Sequence, residues 1–352
     1  MARYKKFGKS TKLVYTLFAV ALAELLCLAV LLTAFFLTRP APAEDAAPPA
    51  AGEEPSGGQK EDAVPVSAPA RPAPQEEEPA GEKEKPAGER TAREILADAR
   101  IITHGMGEVD GITTLNCLEG FQNQYEQGVR VFEVDLRLTA DQQVVLRHDW
   151  RAGWQSGVSE VSIPTMKDFL NRPILKQYTP LSFRDLLLLM ERYPDVCVVT
   201  DTKFTDAEVV TTQFTAMLRD AEELGLSYLL DRMAIQIYDP LMFKVVDNLH
   251  HFDSYIYTFY HEGFSTTEAE FRERAAFCGE NGIGGVTMWD YWWRDAFAPV
   301  AEEYGLKVYV HTVNDPERAR SLLERGISGI YTDSLTPAAL TPEEEPSAEG
   351  ET

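Results

Sequence analysis

Three carboxylates and a lysine stand near the ends of two apolar runs in the sequence. Glu133 and Asp135 are two residues apart, so on a strand both side chains leave the same face. Asp201 ends a second apolar run, and Lys203 faces with it. Burying carboxylates among apolar residues costs free energy unless a cation or a basic side chain neutralises them. Three carboxylates suit Ca2+ or Mg2+, and a salt-bridge cluster with Lys203 and Arg130 is the alternative.

Two histidines occupy similar places at the ends of apolar runs. His104 precedes Gly105, and His148 precedes Asp149, which could fix the tautomer of its ring. A single histidine is more often packed in a core than catalytic. Two histidines that flank three acids favour general acid–base catalysis, in which one imidazole accepts a proton and the other donates one.

Other polar and aromatic side chains interrupt apolar runs farther along the chain. Gln236 and His311 either line a pocket or satisfy buried backbone groups. Trp289 begins an aromatic cluster with the Tyr-Trp-Trp of residues 291–293. This cluster either stacks on a polyol, a sugar or a lipid, or packs under a loop at the rim. Gln236, Trp289 and His311 are therefore candidate substrate-binding residues.

Short β-branched runs alternate with longer amphipathic segments and must position these residues. The predicted strands are Ile101–His104, Val129–Leu136, Val196–Lys203, Met233–Tyr238, Ser254–Phe259, Gly285–Trp289, Val308–Val313 and Gly329–Thr332. Helical patterns lie between them, at Phe183–Arg192, Glu208–Leu224 and Pro316–Glu324. Eight such strands predict a (β/α)8 TIM barrel, whose active site lies at the carboxyl ends of the strands. A doubly wound sheet is the alternative, but no glycine-rich phosphate loop follows the first strand.

One run, Val144–His148, does not fit this alternation. It follows the second strand after too few residues for a parallel crossover, and it therefore predicts a hairpin excursion from that strand. A turn centred on Asp141-Gln142 would place His148 opposite Asp135. This pairing would bring an imidazole beside the carboxylates at the mouth of the barrel.

The first 37 residues have the pattern of a membrane anchor. Residues 1–12 carry five basic and no acidic residues, and residues 13–37 are apolar apart from Glu24 and a few small polar positions. About 20 helical residues cross a bilayer, so this run predicts one transmembrane helix. The basic flank predicts a cytoplasmic N-terminus and export of the rest. A cleaved signal peptide is the alternative, since Ala41-Pro42-Ala43 resembles a cleavage site, but its apolar region is usually about 7–15 residues long.

Composition divides the rest of the chain into three parts. Residues 38–90, rich in Pro, Ala, Glu and Gly, predict a disordered linker, residues 91–340 a globular barrel domain, and residues 341–352 a disordered acidic tail. The net charge is −23, and residues 91–340 hold 38 acidic and 22 basic residues. This negative charge argues against nucleic acid or anionic membrane surfaces as partners.

In combination, the motifs over roughly residues 100–335 resemble those of the glycerophosphodiester phosphodiesterases, which have a PI-PLC-like barrel. The motifs are His104-Gly105, Asn116-x-x-Glu119-x-Phe121, Glu133-x-Asp135, Leu138-Thr139-x-Asp141, His148-Asp149, Asp201-x-Lys203, Thr312-Val313-Asn314 and Gly329–Asp333. The resemblance implies that His104 and His148 are the acid–base pair and that Lys203 holds a phosphate oxygen. It also implies that the three carboxylates described above bind the metal.

The chain departs from the family pattern at four positions. The family has His-Arg-Gly at the first strand, and its arginine grips the phosphate, whereas His104 is followed by Gly105. Leu115 replaces the usual Glu of the second motif, Asp201 replaces a Glu, and His311 replaces the Trp before Thr-Val-Asn. The chain therefore resembles a divergent, membrane-anchored branch that keeps the histidines and the metal acids but lacks the usual phosphate clamp.

The residues and the resemblance together predict a metal-dependent phosphodiester hydrolase that acts outside the membrane. The expected substrates are glycerophosphodiester-like lipid headgroups or a polyol-phosphate wall polymer, which the linker would help a tethered enzyme to reach. The nucleophile is either water or a neighbouring hydroxyl of the substrate. If the substrate hydroxyl is the nucleophile, the enzyme is a phospholipase-like lyase whose product is a cyclic phosphate. A non-catalytic ligand-binding barrel is the remaining alternative.

Overall fold

The computed structural model describes residues 81–86, 88–150, 163–261 and 266–341. The predicted cytoplasmic tail at 1–12 and membrane anchor at 13–37 lie outside these residues, as do most of the linker and nearly all of the acidic tail. No helix within the described ranges is long and apolar enough to cross a membrane. The part of the chain that can be described is the barrel domain and the residues just before it.

Nine strands form the sheet of the described residues, and eight of them run parallel and close into a barrel. The strands are β1 Ile101–Thr103, β2 Val131–Leu138, β3 Val144–Leu146, β4 Cys197–Asp201, β5 Met233–Ile237, β6 Ser254–Thr258, β7 Gly285–Trp289, β8 Lys307–His311 and β9 Gly329–Thr332. Strand β1 pairs with both β9 and β2, and this double pairing closes the ring. The predicted eight-stranded parallel barrel is confirmed.

Nine α-helices of the described residues precede or connect the strands. They are α1 Ala92–Asp98, α2 Leu118–Glu126, α3 Met166–Leu170, α4 Phe183–Arg192, α5 Ala207–Glu223, α6 Pro240–Leu249, α7 Glu268–Glu280, α8 Ala298–Glu303 and α9 Pro316–Glu324. Helix α4 begins at a capping box, in which Ser182 and Asp185 each accept a hydrogen bond from the other's backbone amide. The bounds predicted for α4 and α9 are confirmed.

Alternation along the strands divides the barrel interior into an apolar lower layer and a polar upper layer. On β2, Val131 packs in the lower layer with Cys197 and helix α1, which covers the bottom of the barrel. The next residues on the same face are Glu133, Asp135 and Arg137. Side chains on the opposite face of the strands pack against the surrounding helices in a larger core. Polar groups are thereby concentrated at the carboxyl ends of the strands.

A segment before helix α1 also packs on the barrel. The Lys83 amide donates to the Gly225 carbonyl over 2.9 Å. The Nε of Arg232 lies 2.7 Å from the Glu89 carboxylate, and these two side chains are 1 % and 4 % exposed. A buried ion pair thus joins this segment, which its composition assigned to the linker, to the barrel. We call residues 82–86 and 88–90 the N-terminal strap.

The predicted hairpin excursion is confirmed, but its register is one residue away from the predicted one. Strands β2 and β3 pair antiparallel, with Leu136 opposite Leu146. Asp135 consequently lies opposite Arg147, whose amide donates to the Asp135 carbonyl over 2.8 Å. His148, predicted opposite Asp135, lies one residue farther on, beyond the end of β3.

The loop between these strands explains the shift. It is centred on Asp141, with the Thr139 amide donating to the Gln143 carbonyl over 2.9 Å. Gln142 has a φ of 57°, in the left-handed region. Asp141 Oδ1 accepts hydrogen bonds from the Thr139 hydroxyl and the Met166 amide. These contacts reach outside the hairpin, so the sequence of the loop alone did not predict its register.

Candidate active site

Three carboxylates meet in the polar upper layer. Strands β2 and β4 are neighbours, and their register sets Asp135 beside Asp201 and Glu133 beside Val199. One oxygen from each of Glu133, Asp135 and Asp201 lies within 4.8 Å of the others. All three side chains are buried. The pairing of the strands joins acids 66 to 68 residues apart along the chain into one cluster.

Lys203 lies against two of these acids. Its Nζ is 2.7 Å from Asp135 Oδ1 and also contacts Asp201 Oδ2. Its φ of 58° turns the chain back toward the cluster just after β4. Burial alone would lower the pKa of Lys203, but the charges of Asp201 and Asp135 raise it above its usual value. The ammonium therefore stays charged and offsets part of the negative charge of the cluster.

The pKa values of Glu133 and Asp135, the two acids of β2, are shifted in opposite directions. Burial and the charge of Asp135 raise the pKa of Glu133. Burial also opposes ionisation of Asp135, but the charges of Lys203 and the histidines lower its pKa. Asn116 fixes Asp135 by donating to its carboxylate over 2.7 Å and accepting from its amide over 2.9 Å. Asn116, the first residue of the Asn-x-x-Glu-x-Phe motif, therefore holds Asp135 in place.

Gly105, the residue after His104, leaves no space for a side chain. Its amide donates to Glu133 Oε2 over 2.7 Å. Its φ is 53°, and a Cβ at this position would lie 2.7 Å from the Cα of Thr114. That distance is too short for any side chain unless the backbone shifts. The turn that follows β1 therefore has no room for an arginine at this position in this conformation.

The carboxylate cluster fits a divalent cation. Glu133 Oε1 is buried and has no hydrogen-bond partner among the described residues. Such an atom is costly to bury unless something with positive charge satisfies it. The three donors are all carboxylates, which are the ligands that Ca2+ and Mg2+ prefer. Glu133, Asp135 and Asp201 could thus hold one ion.

His104 is fixed by a carboxylate on its far side. Its Nδ1 lies 2.8 Å from Asp333 Oδ1, and Asp333 Oδ2 accepts from Asn314 over 2.6 Å. This contact leaves Nε2 for the cavity. Burial opposes protonation of His104, but the hydrogen bond to Asp333 and the charges of Glu133 and Asp135 raise its pKa to about 9. The imidazole is therefore cationic at neutral pH and can donate a proton.

His148 lies in a more open part of the mouth. Its side chain is 42 % exposed, and its Nδ1 lies 2.9 Å from Asp149 Oδ2. Asp149, the residue that follows His148 in the sequence, therefore contacts a ring nitrogen of His148. The His148 carbonyl accepts from Arg137 Nε over 2.9 Å, which ties the end of the hairpin to β2. Both histidines thus use Nδ1 for a carboxylate and can use Nε2 for chemistry.

The predicted site residues meet in one cavity of about 430 Å3. His104, Glu133, His148, Asp201, Lys203, Gln236, Trp289 and His311 line it. Asp135 is fully buried and contacts the cavity residue Lys203. The cavity opens at the carboxyl ends of the strands, as expected for this fold.

The three candidate substrate-binding residues have different environments. Gln236 accepts a hydrogen bond from the Tyr331 hydroxyl over 2.9 Å. His311 Nδ1 lies 3.0 Å from the Thr287 hydroxyl, and burial together with the charges of His104 and Lys203 lowers its pKa to about 3. His311 is therefore neutral at any physiological pH.

Trp289 belongs to an aromatic group at the mouth. Its ring lies 6.2 Å from Tyr260, 6.0 Å from Tyr291 and 4.7 Å from His311 between centroids. The aromatic residues predicted as one cluster lie in two places, because Trp293 is buried against Phe297 and does not line the cavity. Trp289 alone of the predicted cluster lines the cavity.

Sequence reasoning missed several residues of the site. The Tyr238 hydroxyl donates to Asp201 Oδ1, and Arg137 lines the cavity. Spacing could have found both, since Arg137 is two residues beyond Asp135 and Tyr238 two beyond Gln236. Asp333 ends the Gly329–Asp333 motif, but its contact with His104 depends on the pairing of β1 with β9.

Comparison with known families gives one match over most of the barrel. Residues 113–336 match the model of the Glycerophosphoryl diester phosphodiesterase family. No curated protein matches the chain. The matched range contains eight of the nine predicted site residues, and His104 lies before it.

Several solved structures share the fold. A candidate glycerophosphoryl diester phosphodiesterase from Silicibacter pomeroyi has a TM-score of 0.56 and 20 % identity over 70 % of this chain and 95 % of that one. A candidate glycerophosphodiester phosphodiesterase from Galdieria sulphuraria has a TM-score of 0.56 and 19 % identity over 66 % and 93 %. An Oleispira antarctica phosphodiesterase in complex with the product sn-glycerol-3-phosphate has a TM-score of 0.55 and 16 % identity over 69 % and 96 %. At these identities the likeness concerns the fold alone.

Proposed function

The chain belongs to the glycerophosphoryl diester phosphodiesterase family, and on that basis we propose that it hydrolyses phosphodiesters with a divalent cation, Ca2+ or Mg2+. One observation carries the proposal. Two histidines, each with a carboxylate at Nδ1, line the same cavity as a lysine and two members of a cluster of three buried carboxylates. The arrangement supplies proton transfer and positive charge to one bound group, which is what cleavage of a phosphodiester requires.

The charged groups stabilise the phosphate as its bonds change. Negative charge grows on the phosphate oxygens during attack. Glu133, Asp135 and Asp201 would hold the ion, which would supply Lewis acidity to the phosphate. Lys203 contacts both Asp135 and Asp201, so its ammonium is placed to bind a phosphate oxygen beside the carboxylate cluster.

The histidines divide the proton transfers. His104 bonds Asp333 through Nδ1, and this carboxylate favours the protonated ring, so His104 donates a proton to the leaving alkoxide. His148 accepts a proton from the nucleophile, and Asp149 holds its ring in the orientation that presents Nε2. Each group acts through a fixed nitrogen, and neither needs to rotate during the reaction.

The cavity wall opposite the carboxylates holds one ester arm of the substrate. Trp289 offers a face on which a polyol or sugar stacks. Neutral His311 and Gln236 offer hydrogen bonds to hydroxyl groups. We therefore propose glycerophosphodiester-like headgroups or a polyol-phosphate polymer as substrates.

The experiment that tests the function is a panel of phosphodiesters incubated with the protein in the presence of Ca2+ or Mg2+. Phosphorus NMR identifies the products. We expect a phosphomonoester and a free alcohol. A persistent cyclic phosphate would assign the nucleophile to a substrate hydroxyl and the enzyme to the lyase class. No turnover of any diester with either ion would favour a ligand-binding barrel.

The site of action is a separate part of the proposal. The apolar run at 13–37 with its basic flank supports a single-pass anchor with the N-terminus in the cytoplasm and the catalytic domain outside the cell membrane. Protease added to intact cells that express the protein with a C-terminal tag should remove the tag. Protection of the tag until the membrane is broken would contradict this topology.

A further inference from the structure

Arg137 is a cavity residue with no part in the proposed chemistry. It follows Glu133 and Asp135 on the inward face of β2, so it lies one pleat nearer the mouth than Asp135. Two residues of strand correspond to about 6.6 Å along β2. Its side chain is partly buried and lines the cavity. The strand thus carries a cation directly above the carboxylate cluster.

The other basic side chains of the cavity, apart from His311, are already paired with carboxylates. Lys203 contacts Asp135 and Asp201. His104 and His148 each contact one carboxylate through Nδ1. His311 is neutral. The positive charge of Lys203 and His104 is therefore partly offset before any substrate binds.

Arg137 is held by contacts with a backbone carbonyl and an aromatic ring, and not by a carboxylate. Its Nε donates to the His148 carbonyl over 2.9 Å, and its guanidinium lies 4.9 Å from the centre of the Phe204 ring. Neither contact carries negative charge, and within the described ranges no carboxylate forms a salt bridge with Arg137. The carbonyl and the ring fix one edge and one face of the planar group. The remaining N–H donors can bind an oxyanion in two-point geometry.

We propose that Arg137 binds a second anionic group of the substrate, a phosphate or a carboxylate on one ester arm. The proposal rests on the proposed function, because the reacting phosphate is assigned to the level of Lys203 and the carboxylates. A guanidinium one pleat above that level meets the group next to the reacting phosphate. The enzyme therefore selects phosphodiesters that carry an additional negative charge close to the cleaved bond.

Two matched pairs of substrates isolate the second anion. Glycerophosphoserine and glycerophosphoethanolamine differ by one carboxylate. Glycerophosphoglycerol and its terminal phosphate ester differ by one phosphate. The two pairs also distinguish a headgroup carboxylate from a neighbouring phosphate, as in a polyol-phosphate chain. The ratio of kcat/KM within each pair cancels effects on the reacting phosphate.

The variants are Arg137→Gln, which removes the charge, and Arg137→Lys, which keeps it. Arg192→Gln is the matched control, because Arg192 also stacks on an aromatic ring, at 5.6 Å from Tyr193, but is absent from the cavity lining. Arg137→Gln should lower the within-pair ratio by about 10- to 100-fold for at least one pair, and Arg137→Lys by less. An equal loss on both members of each pair, or no loss, would overturn the proposal.

A binding measurement separates this proposal from the proposed function. Calorimetric titration compares glycerol 1,3-bisphosphate with glycerol 3-phosphate, and neither needs to be cleaved. We expect the bisphosphate to bind the wild-type protein about tenfold more tightly, and we expect Arg137→Gln to remove that advantage. If the wild-type protein cleaves no diester but shows this advantage, the hydrolase proposal fails and the anion site stands. Equal binding of the two compounds by the wild-type protein would refute the anion site.

Discussion

His104 and His148 have similar partners but different surroundings. Each ring bonds a carboxylate through Nδ1, yet the pKa of His104 rises to about 9 because three carboxylates lie around it. His148 lies at the exposed end of the hairpin. This difference suits two distinct tasks, a proton donor inside the cavity and a proton acceptor at its opening.

We expect His104→Ala and His148→Ala each to lower kcat by about 10²–10⁴-fold, because each removes a proton carrier. Melting temperatures should change little, since neither side chain belongs to the apolar core. The control is His251→Ala, because His251 is 77 % exposed and pairs with Asp247 instead of lining the cavity. A mutant of either cavity histidine with near wild-type kcat would remove the role assigned to that residue.

Asp333 is a positioning residue for His104, and its effect should appear in the pH profile. Asp333→Asn removes a negative charge that raises the pKa of His104. A lower pKa means that His104 loses its proton at lower pH, so the alkaline limb of the kcat/KM profile should move toward neutral pH. Asp295→Asn, at an exposed ion pair, should leave the profile unchanged. An unmoved alkaline limb in Asp333→Asn would contradict the link between the two residues.

Residue spacing predicted those parts of the site that depend on one strand at a time. Glu133 and Asp135 could be placed on one face because they are two residues apart. Their approach to Asp201 depends on strand pairing, which the barrel fold allowed us to expect. Spacing puts Tyr238 on the same face as Gln236, but its contact with Asp201 could not be predicted. The same holds for the contact of Asn116 with Asp135, because both depend on backbone turns and on chain segments distant in sequence.

At the scale of elements, the alternation of apolar runs and amphipathic segments predicted all eight barrel strands. The strand ends were less predictable. Strand β2 runs over Val131–Leu138 and not Val129–Leu136, because the pairing with β3 extends it beyond the barrel. The hairpin register also differed by one residue, since contacts of Asp141 with Met166 centre the loop. The local hydrophobic pattern therefore predicts which strands and helices form, whereas tertiary contacts determine the residues at which they end.

The N-terminal strap was assigned to the linker because its composition is polar. Its ion pair with Arg232 is buried, and Arg232 also donates to three backbone carbonyls, those of Met190, Tyr193 and Val196. We expect Glu89→Ala to lower the free energy of unfolding by about 3–5 kcal/mol, since it leaves a buried charge without its partner. Chemical denaturation of the domain measures this change.

The control for the strap is Glu84→Ala, because Glu84 is an exposed acid of the same segment. It should change stability by less than about 0.5 kcal/mol. If Glu89→Ala were as stable as Glu84→Ala, the strap would not contribute to the fold. The barrel domain would then begin at helix α1, as the composition first indicated.

The whole molecule is strongly negative, with a net charge of −23. Such a charge concentrates divalent cations near the protein. The carboxylate cluster adds a local site for one of those cations at the carboxyl ends of the strands. Cation binding is therefore coupled to the stability of the entire barrel, since two of its strands supply the ligands.

We expect Ca2+ or Mg2+ at a hundredfold excess over Kd to stabilise the domain by about 2.7 kcal/mol. Glu133→Gln should abolish most of that gain. It should not destabilise the metal-free domain, because the raised pKa of Glu133 means that its charged form is unfavourable there. Melting curves with chelator and with added ion measure both effects. A melting temperature that responds to neither would contradict a metal site at these acids.

The most direct test of a metal-dependent phosphodiesterase is the turnover of one diester during titration of the ion into chelated protein. Turnover should be absent with chelator and should rise to saturation with Ca2+ or Mg2+. Glu133→Gln should need at least about tenfold more ion or remain inactive, whereas Glu317→Gln, at an exposed acid of helix α9, should behave as wild type. Full turnover with chelator, equal in wild type and Glu133→Gln, would contradict metal-dependent catalysis at this site.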